Sequence, residues 1–385
     1  MRRFIKWLVT RAARDTSSGQ FIAEIDGLRF VAILAVVLFH LGWYLTSKTG
    51  RVDEFDPLAE LLSRGYLGVQ LFFVISGFVI ALPFARGHLF KGRVPRIRDF
   101  FFRRLTRLEP PYIVNLLFRF AFLCLLSLDS AGNLFPHLLA SVGYLHNMVY
   151  GQESTVNFVA WSLEIEFQFY LLAPFICSIF LVRPRTARRF LLVALIIFFT
   201  VLTYFNGSAR YNLSLFSALK YFLTGFLLVD VYLVEWGQKP ARSSLRWDVV
   251  SLLAWLSICA LSFLGKTGEL FLTVPIFLAY LAAFKGPLSN RFFCLPLVYS
   301  IGGMCYTIYL YHYSIISALG RVVVKIGALN QAPLWLFIPV ASLVILPVTL
   351  LFCTIMFILV EKPCMKKGWY LRSSGRLKPG TDITA

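Results

Sequence analysis

Arg29 and His40 stand eleven residues apart in IDGLRFVAILAVVLFHLGWYL, residues 25–45. On an α-helix, at about 100° per residue, that spacing returns to within about 20° of the same face. Asp26 falls on the same stripe, about 40° from His40. The rest of the stretch is almost wholly apolar. A membrane helix carries an arginine and a histidine down one side only where that side meets a wet cavity or a polar partner. A neutral imidazole so placed can take the proton of a hydroxyl as general base, and a guanidinium suits phosphate. The plainer reading is that His40 hydrogen-bonds a neighbouring helix. Other candidates are Glu164 and Glu166 in WSLEIEFQFYLLAP (161–174), His312 in YTIYLYHYSI (306–315), and the pair Arg104 and Arg107 in FFRRLTRLEPPY (101–112). Glu164 and Glu166 point about 200° apart on a helix, so at most one faces a common cavity. Arg104 and Arg107 are three residues apart and share a face.

The elements that position these groups are membrane helices. The chain has 385 residues, 58% hydrophobic and only 15% charged. Soluble domains carry about 25% charge. Apolar runs of about 20 residues recur without the alternation of a β-barrel. The fold class expected is therefore all-α and polytopic, with about ten transmembrane helices around a polar intramembrane cavity. The spans are 25–46, 65–85, 108–128, 159–182, 190–205, 215–236, 248–264, 270–286, 298–320 and 334–360. They form one domain over 25–361, between a basic amphipathic segment (1–24) and a basic tail (362–385). Pro110 and Pro111 suit the first turn of the third span. Residues 129–158 lack Lys and Arg and are expected to form a folded outer loop with a short surface helix.

A net charge of +19 raises the question of nucleic acid, but the basic residues sit in short connections between spans. With both termini cytoplasmic, the inner segments hold 28 Lys and Arg and the outer loops 7. That asymmetry supports N-in and C-in and excludes a nucleic-acid partner. The seven cysteines are scattered with no CxxC pair, so neither a disulfide framework nor a metal site is expected. The basic start shows no convincing cleavable signal.

In this topology His40, Glu166 and His312 fall in one layer of the outer half, roughly 9–12 Å below its surface at about 1.5 Å per residue. A histidine, a carboxylate and a second histidine at one depth can make a general base with an orienting partner. Arg29, Arg104 and Arg107 gather at the inner mouth, where a phosphorylated group carrier and anionic lipid headgroups are both possible partners. There is no P-loop, nucleophile elbow, H-E-x-x-H or dinucleotide turn, so a nucleophile would come with the substrate.

These stretches, with GVQLFFVISGFVI (68–80) and VEKP (360–363), resemble in family order the acyltransferase-3 family of integral membrane O-acyltransferases. The resemblance implies transfer of an acyl group, often acetyl, from cytoplasmic acyl-CoA to a hydroxyl of an extracytoplasmic or membrane-associated acceptor. Acyl-CoA would be a donor substrate, with no bound cofactor, in a bacterial cytoplasmic membrane. Arg29 and His40 match the family's Arg-x10-His motif. Arg104 and Arg107 match its R-x-x-R motif. Glu166 matches the acidic position of the segment opening at Trp161; Glu164 is not required by it. Phe30 and Gln70 depart from the family's usual Gly and Asp. The resemblance implies that the three arginines bind acyl-CoA, that His40 acts as base or brief acyl carrier, and that Glu166 sets its tautomer or balances its charge. Asp26, Trp161 and His312 are expected to support them. No esterase-like domain follows the last span, as in a stand-alone form. A cell-envelope glycan is the favoured acceptor; a lipid headgroup or secreted metabolite stays open. The alternative is a proton-coupled transporter or flippase of a glycan or lipid that uses the same His/Glu layer.

Overall fold

The computed structural model describes residues 21–52, 54–125, 128–237, 243–327 and 331–365. Most of the amphipathic segment expected over 1–24, and most of the tail expected over 362–385, lie outside the described residues. Among the described residues every regular element is helical. Eight helices among the described residues are long and apolar enough to cross a membrane, and the chain is an integral membrane protein. The main elements are α1 (Ala23–Thr49), α2 (Gly68–Leu89), α3 (Ile97–Leu125), α4 (Ala131–Val142), α5 (His146–Tyr150), α6 (Trp161–Ile176), α7 (Arg185–Phe205), α8 (Leu215–Val234), α9 (Leu245–Phe263), α10 (Thr273–Lys285), α11 (Pro296–Gly303), α12 (Cys305–Val324) and α13 (Leu334–Met356).

Helix α1 lies at the centre, packed against α2, α11 and α12. Its buried stripe of Leu28, Ala32, Ile33, Val36 and Leu41 is apolar, and small residues on its neighbours bring the backbones together. Gly302 of α11 sits so close to the Asp26 carbonyl that a Cβ would have no room. Gly77 of α2 and Gly225 of α8 likewise press on each other's helices. Lipid supplies no hydrophobic drive between helices, so such close backbone packing is what holds the bundle.

Several boundaries differ from expectation for local reasons. Helix α3 starts at Ile97, inside the stretch expected to be a basic loop, and runs 29 residues. At about 1.5 Å per residue it is about 44 Å long. That exceeds an apolar layer of about 30 Å, so the helix is long enough to span and still carry its first turns beyond the apolar layer. Pro110 and Pro111 are therefore inside α3, not in its first turn. Each removes a backbone donor from the ladder. The next carbonyl along, that of Leu108, accepts the Tyr306 hydroxyl at 2.9 Å. The stretch expected as one span over 298–320 breaks at Met304 into α11 and α12. Helix α13 ends in a π-helical turn, Phe357–Glu361. Helix α10, expected to span, has only 13 residues.

The connection over 129–158 carries α4 and α5. His137 Nδ1 lies 2.8 Å from His146 Nε2, and His146 Nδ1 donates to the Gln152 carbonyl at 3.1 Å. Both imidazoles lie against the Tyr150 ring. The segment is pinned to α6 because Glu164 accepts the Asn147 amide at 2.7 Å and Asn147 Nδ2 donates to the Trp161 carbonyl at 2.8 Å.

Gly302→Val forces a side chain against the α1 backbone. It is expected to lower stability by about 1–3 kcal/mol or more, read as an earlier loss of monodisperse protein on heating in detergent. Burial holds the His146 pKa below its ordinary value. The sign follows: the unfolded segment binds the proton more readily, so this stabilisation is full above about pH 6.5 and is lost as pH falls through the lowered folded value. Amide exchange over 144–152, corrected for intrinsic rate, should be faster at pH 5 than at pH 7.5. Equal protection at both values would remove the histidine pair from the account.

Candidate active site

His40 comes from the middle of α1 and His312 from α12. His312 is fully buried, and its Nδ1 lies 3.0 Å from the Ile308 carbonyl and 2.9 Å from that of Tyr309. Carbonyls only accept, so this nitrogen carries the proton. In the neutral ring Nε2 then accepts. It lies 3.0 Å from His40 Nδ1, which is also 3.0 Å from the Val36 carbonyl. His40 Nδ1 is thus the donor, and the network assigns the lone pair to His40 Nε2. That nitrogen has no hydrogen bond among the described residues, and His40 lines a cavity of about 910 Å³. Phe158 and Tyr313 flank the imidazole edge-on, each with its centroid 5.7 Å away. Trp161 lines the same cavity.

A second cavity, of about 90 Å³, is lined by Arg29, Arg104, Arg107, Glu166, Tyr170 and Glu361, among others. Arg29 is paired with Asp26 one turn earlier on α1. Arg107 Nη2 lies 3.8 Å from Glu361 Oε1. The π-helical turn turns Glu361 fully inward, where its Oε2 accepts the Thr307 hydroxyl at 2.5 Å and the Thr307 amide at 3.2 Å. The Arg104 guanidinium lies over the Tyr170 ring at 5.6 Å and the Phe100 ring at 5.8 Å. Asp26, Glu166 and Glu361 offset the three positive charges. The cavity therefore offers oriented N–H groups more than a net positive field to any group that enters it. Arg107 Nε is buried with no hydrogen bond among the described residues, a donor suited to such a guest.

Phe73 and Tyr309 line both cavities. The Tyr309 hydroxyl donates to the Val159 carbonyl, so the Ser162 hydroxyl, 2.7 Å away, donates to Tyr309. The partition is thereby fixed to the start of α6.

The structure thus brings Arg29, Arg104 and Arg107 to one cavity and His40 and Trp161 to the other, with His312 behind His40. It separates Glu166 from His40. Glu166 lines the arginine cavity and accepts from Ser76 at 2.6 Å and from Tyr170 at 2.5 Å. It lies five residues beyond Trp161, a rise of about 7.5 Å that carries it past the partition. The position expected for a carboxylate beside His40 is held by His312. Glu164 faces away, onto α5. Arg119 bonds the Val156 carbonyl and the Ser314 hydroxyl, both at 2.7 Å, which is structural. Glu361 and Tyr309 were not singled out. Glu361 lies in the quoted VEKP stretch, where a carboxylate ending an apolar run was the available signal.

Comparison with known proteins agrees in direction. The O-acetyltransferase OatA of Staphylococcus aureus (strain COL) is 23% identical over 378 residues, covering 91% of this chain and 58% of that protein. A putative O-acetyltransferase of the same strain is 25% identical over 376 residues with the same coverage. The chain thus spans little more than half the length of these curated relatives. No solved structure matches. Residues 22–357 match the family model described as an acyltransferase domain. That match takes in every residue named in the lining of the two cavities except Glu361, and the chain belongs to the acyltransferase-3 family.

Proposed function

We propose that the chain is a membrane O-acyltransferase that moves an acetyl group from cytoplasmic acetyl-CoA to a hydroxyl of a cell-envelope glycan. The observation that carries this reading is the pair of cavities sharing one wall, arginines lining one and the histidine dyad the other. The split of basic residues supports ten spans with both termini cytoplasmic, which puts the arginine cavity on the donor's side. Arg29, Arg104 and Arg107 hold the donor's phosphates, and Glu361 keeps Arg107 in place. Glu166 serves this end of the passage through Ser76 and Tyr170. The thioester reaches past Phe73 and Tyr309 toward His40.

The chemistry there is acyl exchange. The acceptor hydroxyl gives its proton to His40 Nε2 as its oxygen attacks the thioester carbonyl carbon. The C–S bond breaks, and the departing CoA sulfur takes the proton back from His40. His312 acts as a positioning residue: it accepts the Nδ1–H of His40 and steadies the imidazolium formed midway. No group on the protein need become acylated.

Incubation of purified protein with radiolabelled acetyl-CoA and cell-envelope fractions should move label into glycan. His40→Ala should lower kcat by about 10²–10⁴-fold, the usual worth of a positioned general base. His312→Ala should lower kcat less and leave the acetyl-CoA KM unchanged. Near-normal turnover by His40→Ala in folded protein would sink the catalytic assignment. Arg107→Ala removes donors to a charged group, worth about 1.5–3 kcal/mol, so the acetyl-CoA KM should rise about 10–100-fold. An equal rise in the acceptor KM would count against a separate donor site.

A further inference from the structure

The cavity beside His40 has a far wall that the acyl-transfer steps do not use. Lys220 lies in α8 and is 2% exposed, which lysine rarely is unless well paired. Its ammonium is 3.9 Å from Glu269 Oε2, outside hydrogen-bond range, and 5.1 Å from the Tyr221 ring centroid. The ammonium has no hydrogen bond among the described residues, although it carries three donors. Both Lys220 and Glu269 line the cavity that contains His40. A buried charge with unused donors is costly unless something entering the cavity completes its shell.

The character of the opposite wall narrows what enters. Trp43, Phe158 and Trp161 line the side nearest His40, and Trp43 is 49% exposed. A guest must therefore present apolar faces to indole and phenyl rings and polar groups to an ammonium and a carboxylate. Pyranose rings do both. Their C–H faces lie on aromatic planes, and each hydroxyl can accept from Lys220 and donate to Glu269. A free anion fits less well, because the two carboxylates that line the cavity, Glu153 and Glu269, offset its two lysines, Lys220 and Lys266, and would repel a further carboxylate or phosphate. A volume of about 910 Å³ exceeds what one small sugar fills. It is at the upper end of ordinary ligand sites, about 300–1,000 Å³.

We propose that Lys220 and Glu269 form a recognition subsite for an uncharged saccharide acceptor of more than one ring. One ring is clamped on this pair, and its neighbour is laid along Trp43 with a hydroxyl at His40 Nε2. This rests on the acyltransferase reading above and adds the acceptor's charge, its length and the residues that select it.

The test uses purified full-length protein, labelled acetyl-CoA and two probes: an uncharged β-1,4-linked N-acetylglucosamine tetramer and a tetramer of a hexuronate. Wild-type protein should acetylate the neutral tetramer in preference to the uronate. Lys220→Met and Glu269→Gln should each raise the KM for the neutral tetramer at least tenfold while the acetyl-CoA KM stays within twofold. Glu269 is partly exposed, so Glu269→Gln decides the matter should Lys220→Met not yield folded protein. Unchanged acceptor KM in the folded variants, preference for the uronate, or no product from either tetramer overturns the subsite. Release of CoA, with the acetyl group passing to sugar or to water and lost in His40→Ala, reports separately on the acyltransferase reading. CoA release without sugar product rejects only the subsite; no CoA release rejects both.

Discussion

The hydrogen bond between His40 and His312 joins side chains 272 residues apart in the chain, and much of the centre of the molecule depends on it. His312, fully buried, cannot be hydrated as it would be in water. His312 spends its proton on backbone carbonyls of its own helix, so it can only accept from His40. That order of donors and acceptors holds α1 and α12 in one rotational register, because turning either helix by one residue would swing its ring away by about 100°. The close approach of Gly302 to the first turns of α1 fixes the same helix from the other end. Between those two constraints the stripe bearing Arg29 and His40 has little freedom.

Carboxylates do comparable work at the arginine cavity. Asp26, Glu166 and Glu361 come from three parts of the chain and set the arginines among acceptors of fixed direction. A π-helical turn is an uncommon way to end a helix, and here it turns Glu361 inward onto Thr307. π-Turns concentrate at functional sites because the extra residue re-aims a side chain without undoing the helix. Away from the cavities, Arg188 is buried against Asp230, with Nε 2.5 Å from Oδ1. This follows the same rule that a polar group inside the bundle must meet its partner there.

How much of this could be read from the residues alone depended on whether the signal was local. The stripe on α1, the arginine pair on α3 and the opposite facing of Glu164 and Glu166 all follow from spacing along one helix, and the folded connection over 129–158 follows from its composition. Relations between helices were harder. Depth counted from a helix end put Glu166 level with His40, but depth is one coordinate and the partition at Tyr309 is another. Counting along the helices sets His312 level with His40, but that the two rings meet is visible only in three dimensions, since nothing in a single helix shows which neighbour it touches. The prolines at 110 and 111 suggested a helix start. A long helix that overshoots the apolar layer absorbs them, at the expense of two backbone bonds.

The wall made by Phe73 and Tyr309 bears on how a membrane survives an enzyme of this shape. A protein that admits one reactant from each side is, in outline, a pore interrupted at one place. Protons cross membranes along files of water and unsatisfied hydroxyls, and a lipid bilayer that stores energy as an ion gradient tolerates few of them. The Tyr309 hydroxyl is bonded to both Val159 and Ser162, and the Phe72 ring stands edge-on to the tyrosine ring with centroids 6.4 Å apart. Residues that stand between two cavities in this way, with their polar atoms already bonded, interrupt any file of water that would join them.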